Sequence, residues 1–328
     1  MVNIRPKTLS ATVVLLAVAM IVLSSGNSPA GSPGQFDADD FLKKYFWREV
    51  ITLSPPKRPK IVLVLSGGGA RGLSHIGVLK VFQEEDIPID GIAGTSVGAL
   101  VGGLYCSGLD VEKIEIMAEE IGWTSLTNIS PPSIVGMIVA DKLFSSENME
   151  KYIAEKIGNK QFHELKIPFA CVATDLKTGE RIIFREGDVA GAVRASATIP
   201  GVFSPAEYRH RKLVDGGVVA NIPVDLAKML SADIIVVVDI SADFTKYSTA
   251  NMLLVLNQSI YIQSSLLSTE ALKQADVVIN PRVGDVSAYE LWRGRECIDA
   301  GVIAARKAMP KLKKLIMDRT FQWLLKQG

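Results

Sequence analysis

The stretch Gly94-Thr95-Ser96-Val97-Gly98 follows the run from Ile89 to Ala93 and leads directly into Ala99-Leu100-Val101. A serine with glycine two positions before and two positions after it, between a strand and a helix, has the form of a nucleophile elbow. The turn is so tight that larger side chains would collide at both glycine positions, and it places the serine oxygen at a helix N-terminus, where negative charge is favoured. Because this five-residue pattern also arises by chance in a chain with 27 glycines, the prediction needs further signals.

A second glycine-rich segment, Ser66-Gly67-Gly68-Gly69-Ala70-Arg71-Gly72, stands between the apolar run Ile61–Leu65 and a helical pattern that begins at Leu73. The run before it is short and rich in β-branched residues, which is typical of a buried parallel strand. A glycine loop between a strand and a helix presents backbone N–H groups to an anion. Three anions fit such a loop: a dinucleotide pyrophosphate, a nucleotide phosphate, and the oxyanion of an acyl-transfer intermediate.

The neighbouring residues favour the oxyanion. A dinucleotide site needs an acidic residue at the end of the second strand, about 20 positions on, but Asp90 stands at the beginning of that strand. A P-loop needs Lys-Ser or Lys-Thr after its last glycine, where this chain has Leu73-Ser74. A serine with the elbow pattern lies one strand–helix unit away, so the loop is predicted to serve an acyl-transfer site.

The third signal is Val214-Asp215-Gly216-Gly217, which by itself indicates a turn. Together, however, the three segments resemble the patatin-like phospholipase family. They match its glycine-rich oxyanion motif (Gly67 to Gly72), its Gly-x-Ser-x-Gly motif (Gly94 to Gly98) and its Asp-Gly-Gly/Ala motif (Asp215 to Gly217), in that order. Residues 195–203 are similar to the stretch that precedes the aspartate in that family. The resemblance covers roughly Ile61 to Leu230, about half of the chain.

The resemblance implies a lipid ester as substrate and a Ser–Asp dyad that hydrolyses it. Ser96 would attack the ester carbonyl, and Asp215 would accept its proton and return it to the leaving alcohol. The backbone amides of Gly68 and Gly69 would stabilise the tetrahedral oxyanion. Arg71 would add positive charge near the oxyanion, bind a lipid phosphate, or serve a structural role. The predicted site therefore consists of Ser96, Asp215, Gly67, Gly68, Gly69, Arg71, Gly72, Gly94, Gly98, Gly216 and Gly217.

Two other functions stay open at this point. One is a non-lipid carboxylesterase or thioesterase with the same chemistry, and the other is a regulatory lipid-binding protein with little turnover. A catalytic triad is a further alternative, and it would need a histidine. The chain has three, His75, His163 and His210, and none follows Asp215 as the Ser–acid–His order of α/β-hydrolases requires. The scarcity of histidines leaves little room for a triad, and the Ser–Asp dyad that the resemblance implies is the prediction.

Strand patterns alternate with helix patterns along the chain, which predicts an α/β fold with a mainly parallel sheet covered by helices on both faces. Residues 61–230 are predicted to be the catalytic domain. Residues 231–328 are predicted to be a C-terminal α/β extension that packs on the same domain and carries no catalytic cluster. Buried strands are expected at 61–65, 89–93, 167–173 and 234–238, with an edge strand at 181–184. Helices are expected around 97–106, 148–157, 224–230, 252–274 and 289–307.

The N-terminus carries a targeting pattern. Arg5 and Lys7 precede the apolar stretch Thr8–Leu23, and small residues follow it. Residues 1–30 are therefore predicted to be a signal peptide, or an uncleaved membrane anchor, since the stretch is just short of the ~18 residues of a spanning helix. In both cases the enzyme is expected to be exported. It would be anchored to the membrane, or periplasmic or secreted after cleavage.

Residues 31–60 are predicted to be a linker that contains an amphipathic helix. Its apolar face would be formed by Phe41, Leu42, Tyr45, Phe46 and Val50. Such a helix either contacts a membrane surface or packs on the domain.

Composition limits the remaining classes. The formal net charge is +1 and no basic block is present, so no nucleic-acid partner is expected. Cys106, Cys171 and Cys297 have neither metal-ligand spacing nor a disulfide framework, so buried free thiols, no metal and no cofactor are expected. The sequence leaves the oligomeric state open.

Overall fold

A computed structural model describes residues 38–120, 145–241 and 252–327 of the 328-residue chain. The predicted signal peptide or anchor at residues 1–30 lies outside the described residues. None of the described helices is both long and apolar enough to cross a membrane.

The described strands form one eight-stranded sheet in the order β5-β6-β3-β2-β1-β7-β8, with β4 paired to β3. β1, β2, β3, β7 and β8 run parallel, whereas β4, β5 and β6 pair antiparallel. The bounds are β1 (Ile61–Leu65), β2 (Gly91–Thr95), β3 (Phe169–Asp175), β4 (Arg181–Phe184), β5 (Ala206–Tyr208), β6 (Arg211–Asp215), β7 (Ile234–Val238) and β8 (Val277–Ile279).

Helices connect the strands and flank the sheet. They are α1 (Ala38–Thr52), α2 (Ser74–Glu84), α3 (Val97–Cys106), α4 (Val111–Glu120), α5 (Glu147–Ile157), α6 (Val189–Ser196), α7 (Val224–Met229), α8 (Met252–Leu272) and α9 (Gly294–Gln327).

Both faces of the sheet are covered, which is why β1 is apolar at every position. Val62 and Val64 belong to a buried cluster with Leu226 of α7. On the opposite face, α3 comes so close that a Cβ on Gly102 would lie 2.8 Å from the Ile92 side chain. Strands buried on both faces are expected to be continuously apolar, and β1 and β7 are fully buried. The predicted α/β class is confirmed.

Two strands meet end to end along one edge of β3, and this junction positions the site. β2 ends with Thr95 opposite Val172, whereas β6 runs in the other direction and ends with Asp215 opposite Ala173. β4 occupies the other edge of β3. The residues that follow β2 and those that end β6 are therefore brought together although they are far apart in sequence.

The C-terminal part of the chain completes this sheet. β7 pairs with β1 in the middle of the sheet, and β8 pairs with β7. The predicted division at residue 230 stays a prediction. The helix expected at 289–307 begins instead at Gly294 and continues past Pro310. Residues 287–290 form a turn closed by a hydrogen bond from the Glu290 N–H to the Ser287 carbonyl, and Leu291–Arg293 form a short 3₁₀ helix.

Internal contacts divide the chain into two compact units, one formed by residues 60–311 and one by the described residues up to Pro59 with those from Leu312 onward. The second unit contains α1. In α1, Trp47 and Val50 are buried and Tyr45 is exposed, and the Lys313 ammonium lies 4.9 Å from the centre of the Trp47 ring. The buried side of α1 thus includes Trp47, which the predicted apolar face left out.

Candidate active site

Ser96 lies in a strained turn between β2 and α3. Its backbone has φ 55° and ψ −125°, a region that non-glycine residues avoid and that is found at functional sites. The flanking glycines make this turn feasible, because a Cβ on Gly94 would lie 2.7 Å from the Ala99 backbone and one on Gly98 2.3 Å from the Leu65 carbonyl oxygen. The local geometry is that of the predicted nucleophile elbow.

Asp215 lies directly against this serine. The Ser96 hydroxyl donates to Asp215 Oδ2 over 2.5 Å, and the Gly217 N–H donates to Asp215 Oδ1 over 2.7 Å. The backbone of Asp215 is fixed as well, since its N–H donates to the Thr198 carbonyl and its carbonyl accepts from the Thr174 hydroxyl. The carboxylate therefore has one oxygen anchored and the other aimed at the serine.

Burial changes the protonation of this carboxylate. Loss of hydration raises the pKa of Asp215 to about 6, and the hydrogen bonds from Ser96 and Gly217 oppose that rise. Desolvation disfavours the charged form of a carboxylate, whereas donors to it favour that form. Asp215 is thus a stronger base than an exposed aspartate, and it is still ionised near neutral pH.

The glycine-rich loop borders the same cleft. Gly69 has φ +59°, and a Cβ there would lie 2.4 Å from the Ala288 carbonyl oxygen, so a side chain is excluded at this position. Gly67 donates its N–H to the Asn221 carbonyl, which removes it from the set of oxyanion donors. Within the described residues, the N–H groups of Gly68 and Gly69 have no acceptor, and both residues line the cleft.

Arg71 is buried beneath this loop rather than exposed to solvent. Its Nε donates to the Gly68 carbonyl over 3.2 Å, and its guanidinium lies 5.3 Å from the centre of the Tyr261 ring. Because the C=O and N–H of a trans peptide point in opposite directions, holding the Gly68 carbonyl fixes the Gly69 N–H on the other side. Arg71 can therefore hold the glycine loop in place and, at the same time, place positive charge near the predicted oxyanion.

The remaining predicted glycines also lie around the site. Gly72 packs under Val97 at the start of α3, and Gly216 begins a short turn of 3₁₀ helix after β6. Of the predicted set, every residue lies in the loop, in the elbow or in the turn after Asp215.

The three histidines lie elsewhere. His75 is fully buried, and its Nε2–H donates to the Ser66 carbonyl over 2.9 Å. Burial lowers the pKa of His75 to about 4, against the opposing effect of that hydrogen bond. His163 and His210 are exposed. Among the described residues no histidine lines the cleft.

Sequence reasoning missed residues that support or enclose the site. Ser196 lies in the stretch quoted for the resemblance, and its hydroxyl accepts from the Ser96 N–H over 3.0 Å. The cleft has a volume of about 90 Å³. Its walls include residues from the last hundred positions, where no catalytic cluster was expected: Ser241, Ile260, Tyr261, Ser264, Ser265, Ala288 and Tyr289. The one sequence signal for some of these residues is that α8 contains no charged residue from Met252 to Thr269.

The three cysteines lie apart from the cleft. Cys106, Cys171 and Cys297 are free and buried, and burial raises the pKa of each thiol. In the parts of the chain that the structure describes, no group of three or more His, Cys, Asp or Glu side chains could hold a metal ion.

Comparison with known proteins gives relatives that share this region. An uncharacterized NTE family protein of Mycobacterium tuberculosis is 34% identical over 185 residues, which cover 56% of this chain and 49% of that protein. Patatin-like phospholipase domain-containing protein 6 of Homo sapiens is 34% identical over 193 residues, which cover 58% of this chain and 14% of that protein. The matched region thus spans about half the length of the first relative and a small part of the second.

Solved structures with a similar fold are more distant in sequence. Human GIVD cytosolic phospholipase A2 has a TM-score of 0.47 and 12% identity, and the match covers 91% of this chain and 68% of that one. VipD from Legionella pneumophila has a TM-score of 0.45 and 16% identity, with 77% of this chain and 67% of that one covered.

The model of the family described as patatin-like phospholipase matches residues 63–228. That range is half of the chain, and it contains the glycine-rich loop, the elbow with Ser96, and Asp215 with its two glycines. This chain therefore belongs to the patatin-like phospholipase family.

Proposed function

We propose that this protein hydrolyses lipid esters, with Ser96 as the nucleophile and Asp215 as the proton acceptor. The observation that carries the proposal is the 2.5 Å hydrogen bond from the Ser96 hydroxyl to Asp215 Oδ2 inside a cleft bordered by the glycine loop. Covalent acyl transfer requires that the nucleophile and the base lie within hydrogen-bonding distance of each other, which is about 3.2 Å at most.

In the acylation step, Ser96 Oγ forms a bond to the ester carbonyl carbon while its proton moves to Asp215 Oδ2. The carbonyl electron pair moves onto the oxygen and creates a tetrahedral oxyanion. When the intermediate collapses, the bond to the alcohol oxygen breaks, and Asp215 returns the proton to that oxygen. The raised pKa of Asp215, about 6, suits both transfers, because a catalytic base works best with a pKa near the operating pH.

The oxyanion would be stabilised by the N–H groups of Gly68 and Gly69, which have no other acceptor among the described residues. The buried Arg71 would add positive charge nearby and keep the Gly69 N–H directed at the oxyanion. Removal of one oxyanion donor costs about 10²–10³ in rate in other hydrolases. In the second step a water molecule forms a bond to the acyl carbon while Asp215 accepts its proton. When this second tetrahedral intermediate collapses, the bond between the acyl carbon and Ser96 Oγ breaks, Asp215 returns the proton to Oγ, and the fatty acid leaves.

The cleft supports an ester with an apolar acyl group over a small polar ester. Besides the catalytic groups, its walls carry the apolar side chains of Ile199, Pro200, Val218, Ile260 and Ala288. Apolar walls with a few convergent polar groups are typical of sites that bind hydrophobic ligands. We therefore favour a phospholipase or lysophospholipase type of activity over a non-lipid esterase.

The test is a panel of phospholipids and lysophospholipids incubated with the wild-type protein and with Ser96→Ala, followed by identification of the released products. We expect a free fatty acid and the matching alcohol from the wild type, and a loss of several decades in rate for the variant. Turnover of short soluble esters or thioesters alone would contradict the lipid substrate. Lipid binding without any turnover would instead support the regulatory alternative.

The location of this activity is part of the same proposal. The basic start and apolar stretch of residues 1–30 support export, either with cleavage or with retention as a membrane anchor. Fractionation of cells that express the full chain tests it. Protein found only in the cytosolic fraction with its N-terminus intact would contradict export.

A further inference from the structure

Helix α8 has the reverse of the usual polarity of a surface helix. Such a helix normally turns an apolar stripe to the core and polar residues to water. In α8 the residues that are buried in the middle of the helix are Ser264 and Ser268, whereas five of its large aliphatic side chains are exposed. The exposed aliphatic side chains define what we call the α8 outer face: Val255, Leu256, Ile262, Leu266 and Leu267.

The buried side of α8 is built into the candidate active site. The Ser264 hydroxyl donates to the Gly217 carbonyl over 2.7 Å, two residues beyond Asp215. Ile260, Tyr261 and Ser265 line the cleft with it. The helix is therefore held in place by the site, and its outer face is continuous with the wall of the cleft.

The outer face is a patch rather than scattered exposure. Val255, Ile262 and Leu266 recur at i, i+7 and i+11 and form one stripe of α8. Leu256 and Leu267, each one position further on, lie together about 100° round the helix, so the five residues occupy the same half of its surface. Leu266 is 71% exposed. A single exposed leucine is ordinary, but a contiguous apolar patch on a soluble unit marks an interaction site.

We propose that the α8 outer face docks on the surface of a lipid bilayer and brings the mouth of the cleft to its substrate. This inference rests on the proposed lipid substrate. Two further observations favour a bilayer as the partner of this face. One is the absence of charged residues along most of α8, and the other is the small volume of the cleft.

The charge of the helix fits the apolar zone of a membrane. From Met252 to Thr269 the chain contains no Asp, Glu, Lys or Arg. An interfacial helix places its apolar face about 5–10 Å into the boundary between headgroups and acyl chains, and a face without charges enters that zone without desolvating an ion. Polar groups on the outer side, such as Ser259 and Gln263, are neutral.

The size of the cleft requires the lipid to extend beyond it. A volume of about 90 Å³ is well below the 300–1,000 Å³ or so of pockets that enclose a whole ligand. It accommodates the ester group and the adjoining carbons, so the rest of a lipid must lie along the rim. α8 forms part of that rim. Trp292, three residues beyond the cleft-lining Tyr289, is 74% exposed, and tryptophan is enriched at membrane interfaces.

A fluorescent probe placed on the outer face tests the proposal in the full chain. Leu266→Cys is labelled with an environment-sensitive dye, and Ile303→Cys on α9 is the matched control, since both side chains are on helices and both are 71% exposed. The three native cysteines are buried, so the dye reacts with the introduced thiol. The signal is local, and it therefore separates docking of α8 from tethering by residues 1–30.

We expect phosphatidylcholine vesicles to shift the emission at position 266 to the blue and increase it, and lipids brominated on the acyl chain to quench it. Position 303 should not respond. An unchanged signal at 266 would overturn the proposal. So would a change at 266 without vesicles that grows with protein concentration, because the face would then be covered by a second copy.

Labelling of Ser96 by a soluble fluorophosphonate in the same samples reports on the proposed function independently. If Ser96 is labelled but the dye at position 266 does not respond to vesicles, the docking proposal is wrong and the proposed hydrolase activity is unaffected. If position 266 responds but Ser96 is inert, docking stands and the proposed hydrolase fails.

Discussion

Asp215 is the residue of the proposed dyad whose protonation is altered by its surroundings. Burial raises the pKa of its carboxyl to about 6, and two hydrogen bonds do not cancel that effect. Charge must be present on Asp215 for it to accept the Ser96 proton. The surroundings therefore set the pH range in which the proposed dyad works.

A pH profile follows from this pKa. With a short soluble ester, kcat/KM should fall as the pH drops through about 6, because Asp215 becomes protonated. A steady-state titration of the wild type between pH 4 and 8 measures it, and the free-enzyme pKa is read from kcat/KM. A rate that stays level down to pH 4 would show that another group is the base.

The same carboxylate should reduce the stability of the fold at neutral pH. Its pKa rises from the ordinary value of 3.8 to about 6, so the native state binds more protons than the unfolded state between these values. The cost is absent below about pH 4, develops as the pH rises, and is complete above about pH 6. Replacement of Asp215 by Asn would keep nearly the same side-chain shape and remove the charge that causes this cost.

Asp215→Asn should therefore be inactive but more stable than the wild type at pH 7, by about 1–3 kcal/mol. The difference should become small near pH 3.5, where the wild-type carboxyl is mostly protonated in both states. Urea unfolding at the two pH values measures it. A variant less stable than the wild type at pH 7 would contradict the assigned burial of the charge.

At the level of secondary structure, α8 gives the sharpest prediction. Replacing Ile262 and Leu266 together by Gln removes two apolar side chains from the outer face while keeping helix propensity close to that of Leu. Since burial of each such side chain contributes about 1.5–3 kcal/mol, the rate on dilute phospholipid vesicles should fall by about tenfold or more.

The matched control is Ile116→Gln with Ile303→Gln, which changes exposed aliphatic residues on α4 and α9. Its vesicle rate should equal that of the wild type. Equal losses in both double variants would mean that general surface hydrophobicity, and not α8, governs the reaction on vesicles.

The elements also show which parts of the structure a sequence can predict. β1, β4 and β7 have the predicted bounds, because continuous apolar or β-branched runs are strong local signals. β6 carries Asp215 but begins with Arg211 and Lys212, so its pattern resembles a turn. α8 was predicted as a helix, yet its part in the cleft was missed, because its contacts with Gly217 depend on tertiary packing.

The glycine positions of the site were recognised for a physical reason. A turn as tight as the one at Ser96 leaves no room for a side chain at Gly98. Only glycine meets this requirement, so the sequence pattern itself indicates the turn. The supporting hydroxyl of Ser196 has no such local signature, since serine fits almost any turn or helix end. The resemblance to the family pointed to the segment 195–203 as a whole and gave Ser196 no role of its own.

Across the whole molecule, the site joins residues that are 119 positions apart. β2 and β6 reach it from opposite directions along β3, and the cleft-lining residues all lie within the compact unit of residues 60–311. The site therefore depends on strands from across the whole sheet.

Deletion of residues 1–30 should accordingly leave a soluble protein that folds and hydrolyses short soluble esters at the wild-type rate. The full chain should fractionate with membranes at least in part. Circular dichroism and an ester assay measure the first expectation, and cell fractionation the second. A truncated protein that is folded yet inactive would mean that the N-terminal segment contributes to the site.

Reaction with a fluorophosphonate that bears a lipid-like chain, followed by mass spectrometry, tests the central claim most directly. The Ser96–Asp215 dyad predicts one phosphonyl group on the peptide that contains Ser96 in the wild type. It predicts almost none in Asp215→Asn, and unchanged labelling in His163→Ala and His210→Ala. A phosphonyl group on another residue, or undiminished labelling of Ser96 in Asp215→Asn, would contradict the dyad.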